Sequence, residues 1–314
     1  MLWTINIIPM YYLKMLIQIY EIQTPLEAEK CIESGVDHIG SVLLSEENRH
    51  SPVLKDVMRL TEGTDIKNSI IPLFKDIDTL YRALDYYQPH YVHFCDSLTD
   101  HNGREVDLDN FIEVQSNLKK KFPEIKIMRS IPVPKRDINP NFPTLKIARS
   151  LEPASDIFLT DTFLEKGPVN GFIGITGETA DWKIARGLVL QSRIPVILAG
   201  GLSPENVYGA ITEVLPAGAD SCTLTNRMDK EGKAIRFNKD FGKVKKFVKE
   251  VRRAENEISR EQEEREKKLA KLREELRERE AALPPHSVRP HQLMAIEEIE
   301  EEIALLEKGQ TSEG

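Results

Sequence analysis

The chain has 314 residues, a hydrophobic content of 40% and a formal net charge of −8. This length accommodates one large domain and an appendage, and the hydrophobic content suffices for a buried core. The negative charge argues against a nucleic-acid-binding protein, which needs a basic face for phosphates. The chain has three cysteines, Cys31, Cys95 and Cys222. They are too widely spaced for a metal-ligand motif, and their number is odd. We therefore expect no metal site and no disulfide framework, but reduced thiols in a cytoplasmic protein.

The first segment, residues 1–15, is apolar and aromatic, with Lys14 as its one basic residue. A secretory signal would need a basic n-region and a small-residue cleavage site, and a bilayer span would need about 20 apolar residues. We interpret the segment as an N-terminal extension or an upstream start, with Met15 directly before the first strand. No membrane association is expected.

Apolar runs of strand length alternate with amphipathic segments of helical length along most of the chain. The predicted strands are 16–22, 38–44, 69–74, 91–95, 125–133, 157–162, 194–199 and 220–224. Predicted helices include 26–34, 53–60, 79–87, 108–121, 182–191 and 205–214, with the proline-broken segment 139–151 as a further one. This alternation is typical of βαβ units and a parallel sheet. Eight evenly spaced units favour an α/β fold of the closed (β/α)8, or TIM-barrel, type over residues 16–252.

A double glycine follows the seventh predicted strand, in the sequence Leu-Ala-Gly-Gly-Leu-Ser-Pro-Glu-Asn-Val at 198–207. Gly200 and Gly201 let the backbone approach an anion closely, and Ser203 and Pro204 occupy the cap and first position of a predicted helix. A helix N-terminus after the seventh strand of a barrel is a usual phosphate position. The alternative is an ordinary tight turn.

Asp161 ends the sixth predicted strand, where the active sites of such barrels collect. A carboxylate there can act as a general acid or base, although it could equally cap a helix. The glycine-containing stretch 171–177 follows and leads into Glu-Thr-Ala-Asp-Trp at 178–182. A loop of this kind can close over a ligand and exclude water.

Three further side chains are candidates for ligand contacts. Arg49 follows the second strand and could bind a carboxylate through two hydrogen bonds, or lie free on the surface. His93 and Cys95 are two residues apart and share one face of the fourth strand, so both could point into the barrel mouth. Their alternative is ordinary core packing.

The character of the sequence changes near Val251, and residues 253–314 form a highly charged tail. Residues 254–282 are rich in Glu, Lys, Arg and Leu, with leucines at 269, 272, 276 and 283 in a short heptad pattern. After the prolines at 284, 285 and 290, a second apolar face runs through Leu293, Ile296, Ile299, Ile303 and Leu306. The pattern predicts a helical hairpin or a coiled-coil arm that could form a homo-oligomer; a solvated single helix is the alternative.

Together these features resemble the phosphoribosylanthranilate isomerase family over residues 16–251. The most specific stretches are Gly-Val-Asp-His-Ile-Gly at 35–40 with Arg49, Thr-Asp-Thr at 160–162, Gly-Ile-Thr-Gly-Glu-Thr-Ala-Asp-Trp at 174–182, residues 199–207, and Gly-Ala-Asp at 218–220. The family converts phosphoribosylanthranilate, an aminoaldose, to the corresponding aminoketose without a metal or organic cofactor. The resemblance implies tryptophan biosynthesis and a phosphorylated small-molecule substrate.

The resemblance also implies roles for individual residues. Asp161 would be the general acid that helps open the ribose ring, and Arg49 would hold the anthranilate carboxylate. Apart from the resemblance, we expect His93, Cys95 and Asp220 to contact the substrate. The turn at Gly200, Gly201 and Ser203 would hold the phosphate.

The sequence departs from the family pattern at three strands. The family's strand-one cysteine, the general base, is replaced by Tyr20, whose hydroxyl ionises near pH 10 against about 8.5 for a thiol. A Ser-Ser-Gly-like phosphate turn is replaced by Cys-Thr-Leu at 222–224, and a Gln-Leu-His-Gly-like strand four by His-Phe-Cys-Asp at 93–96. These departures predict weak or absent isomerisation of the family substrate.

Three hypotheses remain open. The chain could be a divergent isomerase with a relocated base, for which Glu21, Cys95 and Tyr20 are candidates. It could be a paralogue that acts on another phosphorylated sugar or aromatic phosphate. It could also be a non-catalytic binding or scaffold protein whose helical tail is the functional part.

Overall fold

The computed structural model describes residues 14–139, 141–165, 167, 169–284 and 289–307. The predicted N-terminal extension lies outside these residues, except for Lys14 and Met15. By the contacts among its residues the chain forms two compact units, one up to Ala254 and one from Glu255 onward. None of the described helices is long and apolar enough to cross a membrane.

Eight parallel strands close into a barrel in chain order. They are β1 Leu16–Ile19, β2 His38–Leu43, β3 Lys67–Pro72, β4 Tyr91–Phe94, β5 Lys126–Val133, β6 Ile157–Thr162, β7 Val196–Leu198 and β8 Gly218–Ser221. Closure is made by β8 against β1, with Leu16 opposite Gly218 and Gln18 opposite Asp220. The predicted (β/α)8 barrel is thereby confirmed.

Strand β8 begins two residues earlier and ends three residues earlier than the sequence predicts. Gly218 belongs to the strand because a Cβ there would lie 2.5 Å from the carbonyl oxygen of Leu16, so only glycine allows this approach. Beyond Ser221, a 3-10 turn at Thr223–Thr225 replaces the predicted strand end. The residues 222–224 therefore belong to the loop above the barrel.

Seven helices lie between the strands: α1 Pro25–Glu33, α2 Pro52–Arg59, α3 Ile77–Tyr87, α4 Asp109–Lys121, α5 Thr144–Leu151, α6 Trp182–Gln191 and α7 Val207–Val214. Local signals fix several starts. Thr24 and Glu27 form a capping box at α1, and the Asp181 side chain accepts hydrogen bonds from the backbone of Lys183 and Ile184 at α6. These caps set where the chain leaves each strand.

Helix α7 starts later than the sequence predicts, because Ser203 and Pro204 belong to a separate turn. Asn206 is the N-cap; its side chain accepts from the backbone of Ser203 at 2.8 Å and donates to the carbonyl of Gly201 at 2.8 Å. The Ser203 hydroxyl accepts from the N–H of Glu205 at 3.1 Å. These bonds hold residues 203–206 as a turn, so the expected cap at Ser203 was wrong.

An antiparallel hairpin follows β8, with strands β9 Asn226–Met228 and β10 Ala234–Lys239. The sequence analysis did not predict it. Helix α8, Phe241–Ala281, begins directly after it, and its first turns bury Val244, Phe247 and Val251. The hairpin brings Lys239, which is buried, against the carbonyl oxygen of Cys222 at 2.7 Å.

The second unit contains the end of α8 and helix α9, Pro290–Glu307. Leu272, Ile299 and Leu306 form a small apolar cluster with flanking Leu269, Leu276 and Ile303. Ion pairs of 2.8 Å join Lys268 to Glu302 and Arg273 to Glu307. The two tail helices therefore pack against each other within one chain, as in the hairpin alternative.

Candidate active site

A cavity of about 700 Å³, including its open mouth, lies at the carboxyl ends of the barrel strands. Residues from β1 to β4 and from β6 to β8, or from the loops that follow these strands, line the cavity. This end of the barrel is where (β/α)8 enzymes carry out their chemistry. The polar lining residues are Tyr20, Glu21, His93, Cys95, Asp161, Thr176, Asp220, Ser221, Cys222 and Thr223. Of the described lining residues, none is Lys or Arg.

Asp161 lies at the end of β6 and faces the cavity. Its Oδ1 accepts a hydrogen bond from the N–H of Thr162 at 2.9 Å. The carboxylate rests directly on Gly174, where any Cβ would collide with it. Burial raises the pKa of Asp161 to about 7, which outweighs the opposing effect of the Thr162 hydrogen bond. Near neutral pH this carboxyl can both hold and release a proton.

Asp220 lies on β8 and also lines the cavity. It is 6% exposed, and its buried Oδ1 has no hydrogen-bond partner among the described residues. Burial raises the pKa of Asp220 well above its usual range; the charge of Asp161 adds to this effect and that of Lys239 opposes it. The cavity thus holds two carboxyl groups that disfavour simultaneous ionisation.

Gly200 and Gly201 line the cavity after β7, with φ values of +94° and +61°. A Cβ on Gly200 would collide with the hydroxyl of Thr162, and one on Gly201 would lie 2.5 Å from the backbone carbon of Glu178. Close approach of the loop after β6 therefore requires both glycines. Ser203 is not among the lining residues, since its hydroxyl is engaged in the turn before α7.

The loop after β6 covers one side of the cavity with Ile173, Ile175, Thr176 and Gly177. It is fixed at both ends: the N–H of Ile173 donates to the carbonyl of Cys95 at 2.8 Å, and the Thr162 hydroxyl donates to that of Glu178 at 2.6 Å. Ile175 adopts φ +61°, which is costly for a β-branched residue. The expected covering loop is therefore present in a held conformation.

Tyr20 occupies the position where the resemblance places a base, but its ring is turned into the barrel. It fills the space over Gly40, where any Cβ would collide with the ring. Its hydroxyl lies 2.8 Å from Ser69 Oγ and 2.6 Å from His93 Nδ1. Burial raises the pKa of Tyr20 well above 10. The tyrosine therefore closes the centre of the barrel and is a very poor proton acceptor from a substrate.

His93 belongs to the same buried network. Its Nε2 lies 2.7 Å from Ser130 Oγ, so both ring nitrogens are engaged. Burial, assisted by the charge of Arg129, lowers the pKa of His93 to about 3. Cys95 also lines the cavity, and burial raises the pKa of its thiol, as does the nearby charge of Asp96. Neither residue is positioned to exchange protons near neutral pH.

Glu21 adopts φ +63° and is tied to the hairpin after β8. Its carboxylate accepts from the Asn226 side chain at 3.0 Å, from Arg236 Nε at 2.7 Å and from the N–H of Phe237 at 3.3 Å. Burial works to raise the pKa of Glu21, but the bonds from Asn226 and Arg236 and the charge of Lys239 lower it below its usual value. This carboxylate anchors the hairpin.

Arg49 is not brought into the cavity. It is exposed on the 3-10 turn Glu46–His50 after β2, and its guanidinium donates to the carbonyl of Glu46 at 3.1 Å. Sequence position could place it near the rim but could not fix its direction, which the short turn sets.

Several residues of the site escaped the sequence analysis. Gly40, Ser69 and Ser130 carry the Tyr20–His93 network, and Gly174 seats the Asp161 carboxylate. A small residue on each of three strands gave no signal before the register was known. Within the described residues no three His, Cys, Asp or Glu side chains converge as they would around a metal ion, and Cys31, Cys95 and Cys222 are free.

The chain is similar to proteins named N-(5'-phosphoribosyl)anthranilate isomerase. The family model described as N-(5'phosphoribosyl)anthranilate (PRA) isomerase matches residues 111–250. An isomerase of this name from Methanosarcina mazei is 38% identical over 136 residues, which are 41% of this chain and 56% of the relative. One from Methanothrix thermoacetophila is 27% identical over 228 residues, 72% of this chain and 92% of the relative. The chain thus spans little more than half of the first relative and nearly all of the second.

Solved structures show the same fold. The isomerase from Thermotoga maritima superposes with a TM-score of 0.54 at 21% identity, over 76% of this chain and 99% of that one. An isomerase in complex with reduced 1-(o-carboxyphenylamino)-1-deoxyribulose 5-phosphate superposes with a TM-score of 0.52 at 19% identity, over 76% of this chain and 99% of that one.

Fold and cavity together define a (β/α)8 barrel with a carboxyl-bearing site at the carboxyl ends of its strands. Within that class, the chain is similar to the N-(5'-phosphoribosyl)anthranilate isomerases, whose family model matches residues 111–250. The matched residues 111–250 include Asp161, Gly200, Gly201 and Asp220 but neither Tyr20 nor Arg49.

Proposed function

We propose that the barrel binds a phosphorylated aminosugar of the N-(5-phosphoribosyl)anthranilate type in this cavity and converts the aminoaldose to the aminoketose, more slowly than a barrel with a strand-one thiol. The observation that carries the proposal is Asp161, a carboxyl group with a pKa of about 7 in a cavity closed on one side by its own loop. A proton donor at the end of β6 is what opening of the sugar ring requires.

The Gly200–Gly201 turn is the proposed phosphate site. Since none of the described lining residues is Lys or Arg, we expect a phosphate in the cavity to be held by backbone N–H groups, with hydroxyls such as those of Thr176 and Thr223 as further donors. The turn at residues 203–206 is tied back to Gly201 by the Asn206 side chain, which fixes the backbone there. We assign Ser203 to this turn, as a residue that shapes the phosphate site.

The proposed contacts of the aromatic ring are the apolar lining residues Val42, Ile71, Leu73 and Ile173. Arg49 would meet the ring carboxylate only if the substrate projects toward the turn Glu46–His50, since its guanidinium lies outside the cavity. A cytoplasmic location is part of the proposal and is supported by the three free cysteines.

The buried Tyr20 also supports a second candidate, a paralogue that binds a phosphorylated aromatic ligand without turnover. Its hydroxyl is engaged inside the barrel, so strand one contributes no proton acceptor to the cavity. In that case the tail helices, as a possible homo-oligomerisation element, would carry more of the function.

The experiment compares turnover with binding. Purified full-length protein is assayed for loss of phosphoribosylanthranilate fluorescence, and binding of the reduced deoxyribulose phosphate is measured by calorimetry. Turnover that depends on Asp161, together with binding, supports the isomerase. Binding without turnover supports the second candidate. The absence of both binding and turnover would refute both candidates.

A further inference from the structure

Asp161 and Asp220 lie at the same level of the barrel, on strands two apart. Leu159 pairs with Ile197 between β6 and β7, and Leu198 pairs with Ala219 between β7 and β8. Continued along the strands, this register sets Asp161 and Asp220 on either side of Ala199. All three line the cavity. Since neighbouring strands are about 4.8 Å apart, the two backbones are about 10 Å apart, and the small alanine leaves the space between the carboxyls open.

The buried Oδ1 of Asp220 has no hydrogen-bond partner among the described residues. An unsatisfied buried carboxyl oxygen is costly, and most buried polar atoms in folded proteins avoid this state. The neighbouring Ser221, by contrast, donates to the carbonyl of Leu202 at 2.8 Å. Asp220 is therefore not explained by the packing of β8, and the residue lines the cavity where a ligand would lie.

The other titratable groups of the cavity are already committed or inert. Tyr20 and His93 bond to each other inside the barrel, and Glu21 is held by Arg236 and Asn226. Burial raises the pKa of both lining thiols, Cys95 and Cys222. Among the described lining residues, Asp161 and Asp220 are left as the groups that can exchange a proton with a bound sugar.

We propose that Asp161 and Asp220 act as a carboxyl pair sharing one proton, in which Asp220 supplies the base that strand one lacks. This rests on the proposed function, since it names the second proton-transfer residue for the same reaction. Two carboxyls that line one buried cavity disfavour simultaneous ionisation, so the pair keeps one proton over a wide pH range. The charge of Lys239, whose ammonium group donates to the carbonyl of Cys222, works to lower the pKa of Asp220 and so opposes retention of the proton there.

The proton balance of the reaction closes on this pair. The reactive form is the one in which Asp161 holds the proton of the pair and Asp220 is ionised. From this form, Asp161 donates its proton to the ring oxygen, the ring opens, and an iminium forms between the nitrogen and sugar carbon 1. The Asp220 carboxylate then removes the proton from carbon 2, which gives an enolamine. Asp220 returns that proton to carbon 1, while the hydroxyl on carbon 2 loses its proton to Asp161 and becomes the ketone. No oxidant, reductant or metal enters, and both carboxyls end as they began.

The kinetic test uses the full chain with Asp220→Asn, Asp161→Asn and, as a matched surface control, Asp85→Asn on α3. We expect both cavity variants to lower kcat by at least about 100-fold, since a placed proton-transfer group contributes about 10²–10⁴-fold. Binding of the reduced deoxyribulose phosphate should remain within a few-fold of wild type, and Asp85→Asn should change neither. A kcat for Asp220→Asn within a few-fold of wild type, in a sample with the wild-type melting curve, would overturn the proposal.

A titration independent of turnover separates this inference from the proposed function. With carboxyl-¹³C aspartate, we expect two NMR signals of wild type to titrate well above the ordinary Asp value of about 3.9, and one of them to vanish in Asp220→Asn. Ordinary titration of Asp220 would refute the pair even if the enzyme is active. If wild type fails to turn over phosphoribosylanthranilate while both raised titrations are present, the pair stands and the proposed substrate falls.

Discussion

The two halves of the cavity wall differ in how their polar groups are used. On the β6–β8 side, Asp161 and Asp220 face the cavity with raised pKa values, and the Asp220 Oδ1 has no partner among the described residues. On the β1–β4 side, Tyr20, Ser69 and His93 bond to one another inside the barrel. The family match, residues 111–250, covers the first side and not Tyr20 or His93.

The difference separates groups that stabilise the fold from groups available for chemistry. A polar group with all its partners in place contributes to stability, whereas a buried group without partners costs free energy and needs another reason to be there. We infer that the β1–β4 side has become part of the core, while the β6–β8 side has kept a site. The expectations that follow test this contrast, from the largest effect to the smallest.

Asp161→Asn is expected to lower kcat by about 10²–10⁴-fold, because it removes a proton-transfer group. It should not destabilise the fold. The folded-state pKa of Asp161 is raised to about 7, so wild-type stability falls as pH rises from about 4 to 7, and the variant lacks this loss. Denaturant unfolding at pH 5 and pH 8 checks this. A variant less stable than wild type at pH 8 would place Asp161 among the stabilising groups and break the contrast.

Tyr20→Cys is expected to destabilise the barrel by about 3–5 kcal/mol, as large-to-small changes of buried aromatic residues do. The ring over Gly40 is lost, and Ser69 and His93 lose a partner. The thiol should raise the isomerisation rate measurably. Tyr20→Phe, the control, keeps the ring and should cost about 1–3 kcal/mol without any gain in rate. Thermal melts and the fluorescence assay measure both; a fully stable Tyr20→Cys would contradict the core interpretation.

Gly201→Ala is expected to weaken binding of inorganic phosphate and of the reduced deoxyribulose phosphate, and to cost about 1–3 kcal/mol. The added Cβ would lie 2.5 Å from the backbone of Glu178, at a φ of +61°, so the loop after β6 must move. Gly187→Ala in α6 is the control, since nothing lies near its Cβ, and it should stabilise slightly. Equal affinities in the two variants would remove Gly201 from the phosphate site.

His38→Leu is expected to stabilise the barrel by about 1 kcal/mol, since both ring nitrogens are buried without a partner among the described residues. Burial lowers the pKa of His38 to about 3. Between this value and the ordinary histidine pKa, the side chain is protonated in the unfolded chain and neutral in the folded one. Wild-type stability should therefore fall as pH drops from about 6.5 toward 3, and the variant should lose this His38 contribution. His90→Leu is the control and should destabilise, because His90 Nδ1 accepts from the N–H of Asn68 at 3.3 Å.

Removal of residues 255–314 is expected to leave the melting midpoint of the barrel within a few degrees of wild type. The apolar face of α8 that is buried in the first unit, Val244 to Ala254, is retained. Light scattering before and after removal tests self-association through the tail. An unchanged oligomeric state would exclude it, and loss of folding would show that the barrel depends on the tail.

The sequence allowed the barrel and one half of its site to be predicted. Eight apolar runs located every strand of the barrel, because strands buried on both faces read as continuous apolar segments. Asp161 and the double glycine were found because their neighbours along the chain place them at strand ends. The start of α7 was missed because the Ser203 hydroxyl accepts a hydrogen bond within a separate turn at residues 203–206, and the helix begins only after that turn.

The other half depended on contacts between distant parts of the chain. Nothing near Tyr20 in the sequence indicates that its ring turns toward Gly40, Ser69 and His93, since these residues come from three other strands. The hairpin Asn226–Lys239 was missed because its strands are short and polar. Asp220 was expected to bind substrate, but its unpaired oxygen becomes visible only with the register of β6, β7 and β8.

The fit between Tyr20 and Gly40 constrains the order of events in the history of the gene. Since any Cβ at position 40 collides with the tyrosine ring, a glycine had to be in place there before tyrosine could enter at position 20. Tyrosine and cysteine codons differ by a single base, so the return to a thiol is one mutational step. That substitution leaves a cavity in place of the ring, and it leaves the Ser69 hydroxyl and His93 Nδ1 without the hydrogen-bond partner that Tyr20 provides. The substitution therefore needs only one base change but lowers the stability of the barrel, unless a second substitution fills the cavity.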